Sequence, residues 1–367
     1  MDLPAVIFDN GSGLCKAGVA GDLFPKTVFT SVVGRSQVTP PMVGVGQKEC
    51  YIGEEAQARR GVLSLTYPVE RGMITSWDDI EKIWTHVYDR ELHLTASDHP
   101  VLLTEVPLSP LQNREKAAEI MFELFNVPGM YVALQAALTL YASGATTGMF
   151  VNIGDGVVHA VPIFDGYIIS HAMARLHLAG SDITECLMRL LFEIGHTFMS
   201  SAEREIARDI KERLCYVELE PQETRTEALK VYTLPDGNTV SLGSQLSRAP
   251  EILFSPANVG LEAPGVHELL YRSIMKCPID VRRDLYGSIV LTGGTTLFPG
   301  FEERISREVE HLVPSGVKVR TILPEKRQYS VWMGASILSS LSVFRDLWLT
   351  SSEYKEVGPA AVHKRCL

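Results

Sequence analysis

The sequence predicts an α/β protein built from two related halves, and two repeated patterns together with the chain length support this prediction. Residues 5–8 (AVIF) form an apolar run that leads into the glycine turn 9–13 (DNGSG) and a return strand. Residues 148–151 (GMFV) lead in the same way into the turn 152–156 (NIGDG) and the return strand 157–161 (VVHAV). Both segments are typical of two-stranded hairpins, and they lie about 143 positions apart. A chain of 367 residues is long enough for two such halves.

Amphipathic helical patterns separate these strands. Residues 77–84 (WDDIEKIW) space their apolar side chains three and four positions apart, after a capping residue at Ser76. Residues 114–125 and 202–214 show the same periodicity. Strands mixed with amphipathic helices are typical of the α/β class.

Composition and charge exclude several classes of protein. An apolar fraction of 46% and a charged fraction of 21% are those of a globular chain. A net charge of −10 argues against a general nucleic-acid binder, because neutralising phosphates requires a basic excess. No run of eighteen apolar residues predicts a membrane span, and the first four residues, MDLP, do not resemble a signal peptide.

The cysteines are scattered and form no CxxC pair, so the sequence predicts free thiols and no structural zinc. Free thiols favour a reducing compartment, the cytoplasm or the nucleus. Cys366, close to the C-terminal end of the sequence, is expected to be an exposed thiol without a catalytic role.

The first hairpin has the residues that a phosphate site needs. Glycines 11 and 13 let the backbone approach a ligand closely, and successive N–H groups can form a nest for an anion. Asp9 can hold a cation through water, and Lys16 can reach a phosphate. By itself this motif is also compatible with an ordinary hairpin. The second glycine hairpin favours a polyphosphate held from two sides.

A series of segments along the whole chain carries a resemblance to a known family. In the same order, these segments resemble actin and the actin-related proteins closest to it: 9–18 (DNGSGLCKAG), 67–70 (YPVE), 77–79 (WDD), 103–105 (LTE), 141–144 (YASG), 293–296 (GGTT), 329–332 (YSVW) and 362–366 (VHKRC). The resemblance is interrupted by one gap of about six residues near 220–230.

The resemblance implies the actin-like ATPase fold shared by Hsp70, actin and hexokinase, with two pseudo-symmetric halves around a nucleotide cleft. Residues 1–135 and 330–367 would form the first half, with 31–67 as its small subdomain. Residues 136–329 would form the second half, with 179–264 as its small subdomain. ATP or ADP with Mg²⁺ (or Ca²⁺) is expected in the cleft.

The same resemblance implies roles for residues that match the family motifs. The two phosphate clamps would consist of Gly11, Ser12, Gly13, Leu14 and Lys16, and of Gly154, Asp155, Gly156 and Val157. The surroundings of the adenosine would be Gly180, Lys211, Glu212, Gly294, Thr295, Phe298 and Gln328. Asp9 would hold the metal ion through water. Gln135 and His159 would orient the attacking water and relay its proton.

Several positions depart from the actin pattern. Asn152 and Ile153 stand where actins have an aspartate and a serine. We therefore expect the loss of a negative charge at residue 152 and of a hydroxyl from the phosphate clamp at residue 153. Gln328 replaces a basic residue, Phe298 a tyrosine, and Arg71 a histidine. These changes predict slow hydrolysis, whereas binding through backbone N–H groups remains.

Two predicted surface regions are relevant to the binding of partner proteins. The loop 38–47, which matches a flexible assembly loop of actin, contains Pro40-Pro41, which stiffen it and remove two N–H donors. The hydrophobic cleft in which actin-binding proteins insert a helix would be formed by Tyr141, Gly144, Thr146, Gly166, Tyr167, Leu338 and Leu341. The alternative interpretation is that these residues are core residues.

The sequence is compatible with three functions. The first is a polymerising ATPase like conventional actin. The second is an actin-related structural or interaction subunit with weak or slow hydrolysis, whose partners would be actin-binding proteins, actin, itself or another actin-related protein. The third is a metabolic enzyme such as a sugar kinase, which the actin matches outside the nucleotide site disfavour. Asn152, Ile153, Gln328 and Pro40-Pro41 favour the second function. Residues 4–9 (PAVIFD) resemble testis-type actin-related proteins of animals, which implies a sperm-head cytoskeleton.

Overall fold

The computed structural model describes residues 3–36, 48–220 and 229–366. The predicted assembly loop 38–47, with its proline pair, lies outside the described residues, as does most of the shortened segment near 220–230. The chain divides into two compact units: unit 1 contains residues 1–145 and 324–367, and unit 2 contains residues 146–323.

The unit boundaries differ from the predicted ones, 1–135 with 330–367 and 136–329. The helix that starts at Gln135 is in unit 1, because it packs tightly on a second helix of that unit. A Cβ atom built on Gly334 would lie 1.8 Å from the carbonyl oxygen of Leu138, so the two backbones touch where only a glycine fits.

The strands of the described chain, in sequence order, are β1 (Val6–Asn10), β2 (Leu14–Val19), β3 (Thr27–Thr30), β4 (Val33–Ser36), β5 (Tyr51–Ile52), β6 (Leu63–Thr66), β7 (Val69–Glu70), β8 (Met73–Ile74), β9 (Val101–Glu105), β10 (Gly129–Leu134), β11 (Gly148–Ile153), β12 (Val158–Phe164), β13 (Tyr167–Ile168), β14 (Ala174–Leu176), β15 (Lys230–Thr233), β16 (Thr239–Leu242), β17 (Ile289–Thr292), β18 (Thr321–Ile322) and β19 (Leu349–Thr350).

The α-helices are α1 (Glu54–Ala58), α2 (Trp77–His86), α3 (Leu111–Glu119), α4 (Gln135–Ser143), α5 (Gly180–Glu193), α6 (Ser201–Leu214), α7 (Gln245–Glu251), α8 (Val266–Lys276), α9 (Ile279–Tyr286), α10 (Phe301–Leu312), α11 (Ser330–Ser340), α12 (Ser351–Val357) and α13 (Val362–Arg365). Helices α2 and α3 continue as π-helical turns, Val87–Leu92 and Ile120–Leu124.

The main sheet of unit 1 has the strand order β19-β10-β9-β1-β2-β3. Strands β1 and β2 form the predicted antiparallel hairpin, and β9 and β10 continue the sheet parallel to β1. Both faces of the sheet are covered, because alternate residues of a strand point to opposite sides. Val6 and Phe8 lie in one apolar cluster, and Ile7 in the other. A separate three-stranded sheet, β5-β4-β6, lies within the predicted small subdomain 31–67.

The main sheet of unit 2 has the order β13-β12-β11-β17-β18, with β14 also paired to β12. Its hairpin β11–β12 is antiparallel, and β17 and β18 extend the sheet parallel to β11. Each unit thus has a glycine hairpin, and two further strands extend the sheet beside the first strand of that hairpin and parallel to it. The repeated topology and the mixture of strands and helices confirm the predicted actin-like α/β fold.

Two local expectations are corrected. Ser76 does precede α2, but its side chain makes no capping hydrogen bond. Cys366 is buried and not exposed, with 1% of its surface accessible. Its Sγ accepts a hydrogen bond of 3.2 Å from the backbone N–H of Val132, and burial raises the pKa of its thiol to about 11. In the described ranges, no helix has the length and apolar character that crossing a membrane requires.

Candidate functional site

Three parallel strands of unit 1 bring their last residues to one edge of the sheet. In the register of β1 and β9, Phe8 lies opposite Leu103, so Asp9 and Thr104 come next on their strands. In the register of β9 and β10, Thr104 lies opposite Ala133, and Gln135 follows directly after β10. Parallel strands end at the same edge, which is why Asp9 meets residues that are 95 and 126 positions away in the chain.

Asp9 is the centre of this edge. Its side chain is almost fully buried, and Lys16, opposite it in the β1–β2 hairpin, donates from Nζ to Oδ2 at 2.7 Å. Oδ1 accepts from the hydroxyl of Thr104 at 2.7 Å and from Nε2 of Gln135 at 3.3 Å. A buried carboxylate needs such donors, since burying a charge without partners is costly. The structure therefore brings together Asp9, Lys16 and Gln135 and adds Thr104, which the sequence analysis did not assign.

The first glycine loop is closed on itself. The N–H of Gly11 donates to the carbonyl of Leu14 at 3.1 Å. A Cβ atom on Gly11 would lie 2.8 Å from that oxygen, so a larger residue would open the loop. Ser12 Oγ accepts from the N–H of Gly72 at 2.9 Å, and the carbonyl of Gly13 accepts from the N–H of Ser31 at 3.1 Å.

The second glycine loop, in unit 2, repeats this closure. The N–H of Gly154 donates to the carbonyl of Val157 at 3.2 Å. The start of α5 is bound to the loop: the N–H of Gly180 donates to the carbonyl of Gly154 at 3.2 Å, and Thr295 Oγ1 donates to the same carbonyl at 2.7 Å. A Cβ atom on Gly180 would lie 2.8 Å from Thr295 Oγ1 and 3.1 Å from Asp155 Oδ1. The start of α5 can therefore lie this close to the second glycine loop only because residue 180 is a glycine.

Lys211 lies next to this second loop, and its side chain is almost fully buried. Its Nζ donates to the carbonyl of Gly180 at 2.8 Å and lies 3.7 Å from Asp155 Oδ1. Burial lowers the pKa of Lys211, and the nearby carboxylate of Asp155 opposes that shift. Glu212, next along α6, is on the outer side of the helix, where it accepts from Arg208 Nε at 3.0 Å.

Asn152 and Ile153, the two departures in the second loop, point to opposite faces of β11. Asn152 pairs with His159 across the hairpin, and its Oδ1 lies 2.6 Å from the position of a Cβ atom on Gly293. Ile153 is fully buried in the main core of unit 2. The expectation that residue 153 changes the phosphate clamp is therefore wrong for its side chain, because alternation along the strand turns it into the core.

The remaining predicted ligand residues occupy different surroundings. Phe298 is 9% exposed and belongs to the core of unit 2. Gln328 is in unit 1, and its Oε1 is enclosed without a hydrogen-bond partner among the described residues. Gly294 has open space around it, since a Cβ atom there would meet no atom of the described residues within 4 Å.

These residues fit the nucleotide and cation that the resemblance implies. Each unit offers a closed glycine loop with a lysine and a carboxylate beside it, Lys16 with Asp9 and Lys211 with Asp155. Within unit 2, Gly294 has open space beside it, and within unit 1, Gln328 has an enclosed polar atom, Oε1. Anion nests, lysines and carboxylates are the groups that hold a phosphate chain and its metal ion.

The residues predicted for the partner cleft are divided between the two units. In unit 1, Tyr141 is 39% and Leu341 40% exposed, while Leu338 packs partly against the core. In unit 2, Tyr167 is 79% exposed and follows the turn at Gly166. Tyr141, Tyr167 and Leu341 are thus surface residues, which contradicts the alternative that they are core residues.

The comparison with protein families agrees with the geometry. The family model described as Actin matches residues 1–367, which is the whole chain. Both glycine hairpins and the residues gathered at their strand ends lie within the match. The chain therefore belongs to the actin family and is an actin-like cytoskeletal protein.

Proposed function

We propose that this protein binds ATP or ADP with Mg²⁺ (or Ca²⁺) in the interdomain cleft that its family membership implies, and that it acts mainly as a structural or interaction subunit with slow hydrolysis. The observation that carries the proposal is the repeated design of the two units. Each combines a closed glycine loop with a lysine–aspartate pair, at 2.7 Å for Lys16 and Asp9 and at 3.7 Å for Lys211 and Asp155.

The residues predicted for catalysis would act by positioning and charge. The bound cation supplies charge neutralisation at the phosphates, which phosphoryl transfer needs more than covalent help. Asp9 would hold the waters of the cation, and Lys16 would contact a phosphate. Gln135, already directed to Asp9 at 3.3 Å, would orient the attacking water, and His159 would relay its proton.

Slow hydrolysis follows from residue 152. The amide of Asn152 has no negative charge and cannot take up a proton, so it is a weaker acceptor than the carboxylate of actins. Nucleotide binding would then serve to stabilise the fold for partners. Exposed Tyr141, Tyr167 and Leu341 support a helix-binding surface for actin-binding proteins. Actin, a second copy or another actin-related protein are further partners, in the cytoplasmic, nuclear or sperm-head cytoskeleton.

The test is to identify what the purified protein carries. Protein prepared in Mg²⁺ is denatured with acid, and the supernatant is separated by ion exchange. We expect ATP or ADP, and a lower melting temperature after EDTA treatment. An empty chromatogram with no thermal shift on adding MgATP would refute nucleotide binding. Pelleting on addition of Mg²⁺, with hydrolysis as fast as that of filamentous actin, would replace the proposal by a polymerising ATPase.

A further inference from the structure

The carboxylate of Asp9 is oriented by a hydroxyl from the neighbouring strand. Thr104 lies on β9, and its Oγ1 donates to Asp9 Oδ1 at 2.7 Å. This bond is shorter than the 3.3 Å contact from Gln135 Nε2 to the same oxygen. Lys16 occupies the other oxygen, Oδ2. Thr104 and Gln135 therefore share one acceptor atom, and the hydroxyl makes the closer contact.

The burial of Asp9 makes this hydroxyl important. The side chain of Asp9 is only 2% exposed, so water has little access to replace a lost donor. Hydrogen bonds to an ionised acceptor are shorter and stronger than neutral ones, and they restrict the rotamer of a carboxylate. Without the hydroxyl, Gln135 would be the remaining donor to Oδ1 among the described residues, and its amide would be drawn to Asp9.

We propose that Thr104 is a positioning residue for the nucleotide–cation site. Its hydroxyl fixes the orientation of the Asp9 carboxylate and limits how strongly Asp9 Oδ1 binds the side-chain amide of Gln135. The inference rests on the proposed function, since it assigns to Asp9 the waters of the cation and to Gln135 the attacking water. It explains why a threonine hydroxyl stands at the end of an apolar strand, directed to a buried charge.

Two substitutions of Thr104 separate the hydroxyl from the shape of the side chain. Thr104→Val keeps the branched shape and removes the hydroxyl, whereas Thr104→Ser keeps the hydroxyl. A matched control is Thr27→Val, because Thr27 Oγ1 donates to a different carboxylate of unit 1, Glu91 Oε2, at 2.8 Å. We measure ATP affinity as a function of Mg²⁺ concentration by displacement of a fluorescent ATP analogue.

We expect Thr104→Val to raise the Mg²⁺ concentration for half-maximal binding roughly 10-fold to 100-fold, the range for a hydrogen bond to a charged acceptor. Thr104→Ser and Thr27→Val should remain close to the wild type. Equal Mg²⁺ dependence of wild type and Thr104→Val would overturn the positioning role alone. Equal losses in Thr104→Val and Thr104→Ser would also overturn it, since shape and not the hydroxyl would then matter. A wild type that binds no nucleotide would refute the proposed function itself.

A second readout needs no ligand. Urea unfolding in EDTA is compared for Thr104→Val, Asp9→Asn and the double variant, with Thr27→Val as the control partner of Asp9→Asn. We expect the midpoint shifts of Thr104→Val and Asp9→Asn to be non-additive, because Asp9→Asn removes the negative charge of the acceptor and so weakens the same hydrogen bond that Thr104→Val removes. The midpoint shifts of Thr27→Val and Asp9→Asn should be additive. If those of Thr104→Val and Asp9→Asn were additive as well, the coupling between Thr104 and Asp9 would be overturned.

Discussion

Replacing Lys16 by methionine tests whether this lysine serves only Asp9 or also a ligand. The substitution keeps most of the apolar stem and removes the ammonium group that lies 2.7 Å from Asp9 Oδ2. Asp9, whose side chain is 2% exposed, would keep only the donors on Oδ1. Breaking a fully buried ion pair costs about 3–5 kcal/mol, but Lys16 is 15% exposed. We therefore expect the lower cost of a charged hydrogen bond, about 1.5–3 kcal/mol.

The assay is urea unfolding, first in EDTA and then in MgATP. In EDTA the free energy of unfolding of Lys16→Met should be lower than that of the wild type by the amount given above. In MgATP the difference should widen by about another 1.5–3 kcal/mol, because weaker ligand binding stabilises the folded state less. Lys116→Met is the control, since Lys116 forms an exposed ion pair with Glu119 at 2.6 Å and should leave both measurements unchanged.

Two results would refute this reasoning. Equal stability of wild type and Lys16→Met in EDTA would mean that the ion pair with Asp9 does not stabilise the fold. A difference that stays constant when MgATP is added would mean that Lys16 contacts no phosphate and is a structural partner of Asp9.

Three further predictions concern the loops, the chemistry and the core. Gly13→Val and Gly156→Val should abolish ATP binding in the displacement assay, because a side chain would enter the space of the phosphates; unchanged affinity would contradict the site. Asn152→Asp should raise single-turnover phosphate release about tenfold or more, since a carboxylate restores the charged acceptor; an unchanged rate would show that residue 152 does not limit hydrolysis. Tyr88→Phe should raise the free energy of unfolding by about 1 kcal/mol, because its buried hydroxyl has no hydrogen-bond partner among the described residues. Tyr354→Phe should lower it, since Tyr354 donates to Glu123 at 2.7 Å, and equal shifts of the two variants in thermal melts would contradict this account.

Local patterns predicted much of the secondary structure near the site. The periodicity of residues 202–214 corresponds to α6, Ser201–Leu214, and Ser200 and Glu203 close a capping box at its start. Both glycine hairpins lie where the alternation of apolar runs and turns predicted them. Such elements depend on neighbouring residues, so a single sequence contains the information that they need.

Contacts between distant residues were decided by the tertiary structure. The order of strands β1, β9 and β10 brings Thr104 to Asp9, and no local pattern encodes this order. The direction of Ile153 into the core and the burial of Cys366 depend likewise on what packs against them.

The sequence by itself determined the family, the α/β class, the two glycine hairpins and the residue types that a phosphate site needs. Only the tertiary structure decided which of these residues share hydrogen bonds and to which unit α4 belongs, through its contact at Gly334. The physical reason is that hairpins and helices are stabilised by near neighbours. The partners of a buried charge such as Asp9 are selected by the packing of strands far apart in the chain.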